Sequence, residues 1–154
     1  MTNININKNN SLTALQELVE QSIDKKLSYM PESYNQQQHQ ALKLFKQRLF
    51  LEKTIDETIS FNKTIVFPNE NKNLHLASTA EDLIDVFKLR SDVYTNINYQ
   101  DEFPDTIEGL NFDEYDSNSA ILFYKAEQKV TGTIRIVFDS SKKLPSEDKF
   151  SFND

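Results

Sequence analysis

The chain has 154 residues, of which 38% are hydrophobic and 27% charged, a balance that suits one globular domain with a core. A net charge of -7 argues against a nucleic-acid-binding protein, which would need a basic surface. The absence of cysteine excludes disulfides, thiol nucleophiles and thiolate metal sites. Because the sequence has neither an apolar run long enough to span a membrane nor a secretory signal, we expect a cytoplasmic location.

Two helical patterns fill the N-terminal region. Apolar residues recur at intervals of three and four from Leu12 to Leu27, after Ser11 as a potential N-cap. A second helix is predicted from Gln36 to Ile59, with an apolar stripe made of Leu42, Leu44, Phe45, Leu49, Leu51 and Ile55. We expect the two helices to form a hairpin that packs on the main domain or on a partner.

The pattern changes after a turn-rich segment. We predict an N-terminal helical region over residues 1–67, a linker over 68–73 and a second region over 74–154. The sequence LHLAS from Leu74 is a strand candidate. Ser78 and Glu81 have the spacing of a capping box, which opens a helix that reaches Tyr94.

The predicted order from Leu74 onward is strand, helix, irregular acidic segment, strand, strand. Residues 95–112 resemble a loop, and two runs, Ala120 to Tyr124 and Val130 to Phe138, form an antiparallel hairpin around the turn EQK. The fold class is therefore α/β in the broad sense (α+β), with a mostly antiparallel sheet. Alternation places Arg135 on one sheet face with Thr133 and Val137, opposite the side chains of Ile134, Ile136 and Phe138.

An acidic block lies between two arginines. From Ser91 to Tyr124 there is no Lys or Arg, and the segment holds eight acidic residues: Asp92, Asp101, Glu102, Asp105, Glu108, Asp113, Glu114 and Asp116. One interpretation is a solvated acidic loop. The alternative is that Arg90 and Arg135 fold back onto these carboxylates, since a guanidinium is tolerated within a strand when carboxylates pair with it bidentately.

Several kinds of chemistry find no support in the sequence. His39 and His75 have no second ligand at metal-binding spacing, so no metal site is predicted. The run DEYDSNS lacks the glycine and the twelfth-position glutamate of a calcium loop. No phosphate-binding glycine loop and no Ser-His-Asp arrangement is present. The remaining constellation consists of carboxylates and arginines: Arg90, Glu108, Asp113, Asp116 and Arg135.

The order of short motifs resembles a known family. These motifs are RSDVY (Arg90 to Tyr94), EFPDTIEGLNFDEYDSNSA, VTGTIRIVF and KLPSE. They resemble the autoinducer-synthase-like branch of the GNAT acyltransferase superfamily, which includes acyl-homoserine-lactone synthases, N-acyl amino acid synthases and PEP-CTERM/exosortase-associated acyltransferases. The matched pairs are Arg90 with Tyr94, Asp113 with Asp116, and Gly132 with Arg135. The resemblance extends from Leu74 to about Glu147 and is greatest to the N-acyl amino acid synthase and exosortase-associated types.

The resemblance implies the first half of a GNAT-like domain and an N-acyltransferase. Such an enzyme moves a fatty acyl group from acyl carrier protein or acyl-CoA to the amine of an amino acid or related metabolite, with no bound cofactor. Asp113, Asp116 and Glu108 are the candidate catalytic residues that hold or deprotonate the amine. Arg90, Arg135 and Tyr94 are the candidates that orient these acids or the substrate. The alternative is that the charged residues form only a salt-bridge network that supports the loop.

The sequence also departs from the family. Asn111 stands where lactone synthases carry an acid, and there is no Trp, so lactone synthesis is not expected. In the family, further strands and a helix that form the donor cleft follow the position of Glu147. We therefore expect a fragment or a truncated relative that is inactive as a 154-residue chain.

The rival hypothesis is a non-catalytic binding or regulatory module.

To bind an acidic carrier protein, this acidic chain would need a local basic patch, for which Lys142 and Lys143 are candidates. An exposed sheet edge near Val130 to Phe138 is expected to allow homo-oligomers.

Overall fold

A computed structural model describes residues 17, 18, 21, 32–68, 70–140 and 144–146, without the side chains of residues 32–35. Its elements are helix α1 (Glu32–Asn62), strand β1 (Leu74–Leu76), helix α2 (Ala80–Asn96), a 3-10 turn (Asp116–Asn118), and strands β2 (Ser119–Ala126) and β3 (Lys129–Val137). The predicted α+β class, antiparallel sheet and element order from Leu74 are confirmed.

Helix α1 is longer than the segment predicted from the apolar stripe. It begins at Glu32 and ends at Asn62, because the polar run after residue 32 continues the helix. Within the predicted stripe Leu42 and Ile55 are buried, but Leu44 is exposed. The earlier helix predicted from Leu12 to Leu27 lies outside the described residues except at positions 17, 18 and 21, which are helical.

The chain divides into two compact units, Met1–Leu51 and Glu52–Asp154, so the division falls inside α1. The last eleven residues of α1, 52–62, therefore belong to the same unit as the sheet and α2.

The three strands form one antiparallel sheet in the order β1-β2-β3. Leu76 of β1 pairs with Leu122 of β2, and Ile121 of β2 pairs with Arg135 of β3. The hairpin between β2 and β3 turns at Glu127 and Gln128, whose φ angles are 50° and 65°. Two successive residues with positive φ give the twist that a two-residue hairpin loop requires. The predicted turn is thus confirmed.

The alternation along β3 is confirmed, but its apolar side is the more exposed side. Ile134 and Ile136 are 63% and 49% exposed, whereas Arg135 and its same-face neighbours Thr133 and Val137 are partly buried. On the neighbouring strand, Ile121 faces the same side as Arg135 and is fully buried. The charged residue therefore points to the covered side of the sheet, where it meets carboxylates.

The N-cap of helix α2 is Thr79, one residue later than the predicted N-cap Ser78. The Thr79 side chain accepts a hydrogen bond from the Asp82 N–H, and Asp82 Oδ2 accepts from the N–H groups of Ser78 and Thr79. The prediction of Ser78 and Glu81 was wrong because the adjacent pair has the same spacing and cap chemistry. The buried face of α2 consists of Leu83, Val86, Phe87, Arg90 and Ser91.

Candidate active site

Four charged side chains from three parts of the fold meet in one cluster, which we call the arginine–aspartate cluster. Arg90 comes from the buried face of α2, Asp113 and Asp116 from the turn before β2, and Arg135 from β3. The expectation that the bracketing arginines fold back onto the acidic block is confirmed for these four residues. The two positive and two negative charges balance within the cluster.

Asp116 is the buried centre of the cluster, with no exposed surface. Its Oδ1 accepts hydrogen bonds from Arg90 Nη1 at 2.8 Å and from Arg135 Nη1 at 3.1 Å. Its Oδ2 accepts from the Asp113 N–H at 2.9 Å. A fully buried carboxylate is tolerated because ionised and backbone donors satisfy it. Asp116 therefore joins α2, β3 and the preceding turn.

Arg135 bridges the two carboxylates through a single nitrogen. Its Nη1 donates to Asp113 Oδ1 at 2.6 Å and to Asp116 Oδ1 at 3.1 Å. This pairing is not bidentate, since one nitrogen serves two acids. Burial lowers the pKa of Arg135, but the attraction and hydrogen bonds of Asp116 and Asp113 outweigh it and raise that pKa above its usual range.

Asp113 is the exposed member of the cluster, with 45% of its side chain accessible. Its Oδ1 accepts from Arg135 and from the Tyr115 N–H, the latter at 2.9 Å. Among the described residues, Asp113 Oδ2 accepts no hydrogen bond. Asp113 therefore keeps an exposed carboxylate oxygen, whereas both oxygens of Asp116 are engaged.

Arg90 is held from two directions. Its Nη1 donates to Asp116, and its guanidinium carbon lies 5.7 Å from the centroid of the Phe87 ring, one turn earlier on α2. This separation is within the range of a cation–π interaction. Its Nη2 is buried and makes no hydrogen bond to the described residues. With 9% of its side chain exposed, Arg90 orients Asp116 from inside the core.

Two residues of the predicted site lie apart from the cluster. Tyr94 stacks on Phe103, with ring centroids 4.7 Å apart, and has no hydrogen bond to the four charged residues. Glu108 is exposed and makes neither a hydrogen bond nor an ion pair within the described part of the chain. The structure therefore does not bring these two side chains together with the arginines, and their roles stay predictions.

Sequence reasoning did not single out Asp105 among the eight acids. Its Oδ2 accepts from Ser91 Oγ at 2.7 Å and from the Gly109 N–H at 2.9 Å. Gly109 has a φ of 79°, a conformation that disfavours other residues. The sequence signal that could have identified Asp105 is its position four residues before Gly109, one of only two glycines in the chain. Asp105 fastens the acidic loop to α2 beside Arg90.

One cavity, of about 400 Å³, lies elsewhere in the second unit. It is lined by Asp85, Lys88, Leu89, Asp92, Gln128, Lys129 and Val130, so none of the predicted site residues contributes to it. Over the described ranges, no group of three or more His, Asp or Glu residues is arranged to hold a metal ion. In the same part of the chain, no helix has the length and apolar character needed to cross a membrane.

The described elements form an α+β unit consistent with a partial GNAT-like fold. Residues 85–153 match the family model described as N-acyl amino acid synthase FeeM. This segment is just under half of the chain and contains all four residues of the cluster. The resemblance to autoinducer-synthase-like acyltransferases is thereby confirmed over the matched segment, and acyl transfer of the N-acyl amino acid synthase type is supported as a broad class. Neither a curated protein nor a solved structure gives a significant match.

Proposed function

We propose that the arginine–aspartate cluster is the amine-binding side of an N-acyltransferase that acylates an amino acid or a related metabolite. The observation that carries this proposal is the unequal environment of the two aspartates. Asp116 is fully buried with both oxygens engaged, whereas 45% of the Asp113 side chain is exposed and one of its oxygens accepts no hydrogen bond from the described residues. The family match over residues 85–153 supports the reaction class.

In the proposed reaction, the amine nitrogen attacks the carbonyl carbon of an acyl thioester. The C–N bond forms, the C–S bond breaks, the amine loses a proton and the departing sulfur gains one. Asp113 holds the amine by accepting a hydrogen bond from one of its N–H groups and is positioned to accept the proton. The acyl donor is acyl carrier protein or acyl-CoA, and no covalent enzyme intermediate is needed.

The other three cluster residues position Asp113 in this proposal. Arg135 donates to its Oδ1, Asp116 accepts from its backbone N–H, and Arg90 holds Asp116. The carboxylate thus approaches the amine in a fixed orientation, which is how an active site lowers the entropic part of a barrier. Glu108, exposed on the neighbouring loop, remains a second candidate base.

The experiment is a thiol-release assay with acyl-CoA and acyl carrier protein donors and a panel of amino acids. It should be run on the 154-residue chain and on any longer in-frame product of the same gene, with mass analysis of the N-acyl product. Asp113→Asn should lower turnover by about 100-fold, the scale of a lost general base. Asp101→Asn, an exposed acid of the same block, is the matched control and should leave turnover unchanged. Absence of N-acyl product from the longer protein would refute the proposal, since the 154-residue chain alone is expected to give little turnover.

A second candidate function is a non-catalytic binding module. The observation that favours it is the internal charge balance of the cluster, in which each arginine already pairs with an aspartate. In this alternative, the network's sole role is to support the loop before β2. This alternative predicts that amino acids and thioesters are bound without N-acyl product, and that Asp113→Asn changes stability alone.

A further inference from the structure

The last turns of helix α1 carry a row of buried polar side chains. Thr54, Thr58 and Asn62 are spaced by four residues and are 3%, 0% and 1% exposed, respectively. Residues four apart lie on the same face of a helix, so the three form one stripe. Burial of a polar group is unfavourable unless it finds a hydrogen-bond partner. The partners of this stripe therefore indicate its purpose.

Thr58 reaches the turn that contains Asp116. Its hydroxyl lies 2.6 Å from the carbonyl oxygen of Thr54 and 3.0 Å from that of Asp116. A hydroxyl has one hydrogen to donate, so the two carbonyls share it. The Ser119 N–H also donates to the Asp116 carbonyl. Thr58 thus contacts the backbone of the residue whose side chain is the centre of the cluster.

Asn62 reaches the segment that leads into α2. Its Nδ2 donates to the carbonyl oxygen of Ala77 at 2.7 Å, and the Ala77 N–H donates to the Ile121 carbonyl at 2.8 Å. Ala77 is fully buried and lies three residues before α2, which carries Arg90. Asn62 therefore contacts the entry to the second element that builds the cluster.

We infer that Thr58, assisted by Asn62, is a positioning residue for the arginine–aspartate cluster. The two side chains anchor α1 to the carbonyl that opens the turn before β2 and to the carbonyl that precedes α2. Helix α1 thereby sets where the aspartates lie relative to Arg90. This inference rests on the proposed function, since the positioning serves acyl transfer only if the cluster is the site.

The test compares Thr58→Val with Thr58→Ser in the full chain. Valine keeps the branched shape and removes the hydroxyl, whereas serine keeps the hydroxyl and removes the methyl group. The first readout is hydrogen exchange of the Asp113 N–H, which bonds to Asp116 Oδ2, and of the Ser119 N–H, which bonds to the Asp116 carbonyl. Exchange at both amides should accelerate by about tenfold in Thr58→Val. Thr58→Ser should stay within about threefold of the wild type.

Ser60→Ala is the matched control. Ser60 Oγ donates to the carbonyl oxygen of Asp56, four residues earlier, at 2.8 Å. Thr58 makes the same type of hydrogen bond to Thr54, but Ser60 lies on the exposed side of α1. Its loss should leave the Asp113 and Ser119 amides unchanged. In a turnover-competent protein, Thr58→Val should also lower kcat while the KM for the acyl donor is unchanged.

Wild-type exchange rates in Thr58→Val would overturn the inference, as would equal acceleration in Thr58→Ser, which would assign the effect to the methyl group. Where Thr58→Val fails to fold, the wild-type chain provides the second measurement. Its Thr58 hydroxyl proton should be observable by NMR with cross-relaxation to the Ser119 amide, and a hydroxyl in fast exchange with water would overturn the inference. Because exchange requires no substrate, the expected exchange pattern combined with no acyl transfer by the longer protein of the turnover assay would refute only the proposed function.

Discussion

Arg135 and Asp113 are 22 positions apart in the chain, and their Nη1 and Oδ1 atoms lie 2.6 Å apart. The same Nη1 lies 3.1 Å from Oδ1 of the fully buried Asp116. A permanent charge within the β-branched strand β3 is thus explained by the carboxylates on the covered side of the sheet. Removal of the guanidinium would leave a buried carboxylate with one arginine instead of two.

We therefore expect Arg135→Ala to lower the free energy of unfolding by about 2–3 kcal/mol, below the usual cost of breaking a buried pair because Arg90 still holds Asp116. Lys129→Ala, an exposed residue of the same strand, is the control and should change stability by less than about 0.5 kcal/mol. Urea denaturation measures both. A loss below about 1 kcal/mol for Arg135→Ala would mean that the pair behaves as a surface ion pair.

The two aspartates should differ in their contribution to stability. Asp116→Asn places an uncharged amide between two arginines in the core and should cost about 3–4 kcal/mol. Asp113→Asn changes a side chain that is 45% exposed and should cost about 1 kcal/mol or less, because solvent screens the lost charge. Thermal and urea unfolding of the two variants give the comparison. Equal losses would contradict the division into a buried centre and an exposed acceptor.

The raised pKa of Arg135 gives a pH-dependent test with Arg135→Lys. A group whose folded pKa lies above its unfolded value contributes stability that is lost only as pH rises through the folded pKa. For Arg135 this loss falls above the usual arginine range, so its pairing persists throughout the alkaline region in which a lysine titrates.

An unperturbed lysine side chain has a pKa of about 10.4, far below that of arginine. The difference in unfolding free energy between wild type and Arg135→Lys should be constant from about pH 7 to 9 and widen above about pH 10. Tyrosines and the other lysines occur in both proteins and cancel in the difference. A constant difference up to about pH 11 would show that the charge at position 135 does not stabilise the fold.

The N-terminus of α2 offers a local test of the capping box. Thr79→Ala should cost about 1 kcal/mol, since the Thr79 side chain accepts from the Asp82 N–H. Ser78→Ala should cost less than about 0.5 kcal/mol, because Ser78 enters this cap through its backbone N–H. A larger loss of thermal stability in Ser78→Ala than in Thr79→Ala would support the capping box predicted from Ser78 and Glu81 instead.

That one-residue shift illustrates which parts of the structure the sequence could predict. The pairing of Arg90 and Arg135 with acids was one of two interpretations of a long acidic block without an internal base, and the structure shows this pairing. The capping register did not follow, since Ser78 and Thr79 are both good caps with an acid three residues later.

Two other features depended on tertiary contacts. Thr58 and Asn62 have the same four-residue spacing whether their face of α1 is buried or exposed, so periodicity could not separate them from surface residues. Alternation in β3 similarly assigned Arg135 and Ile134 to opposite faces without indicating which face is covered. The contacts of Thr58 and Arg135 with Asp116, and of Asn62 with Ala77, identify the covered faces.

The last prediction concerns the 154-residue chain alone, which we expect to bind an amine but to release little or no thiol. Nη1 of Arg90 and Nη1 of Arg135 already hold carboxylates, and the unpaired Nη2 of Arg90 is buried. None of these three nitrogens is available to stabilise the oxyanion of a thioester under attack. Asp113 nevertheless retains an oxygen for an amine. Amide shifts of Asp113 and Tyr115 on titration with amino acids should report binding at about 10 mM, lost in Asp113→Asn and kept in Asp101→Asn. Efficient turnover by this chain, abolished by Asp113→Asn, would mean that the oxyanion donors come from other groups of the same 154 residues.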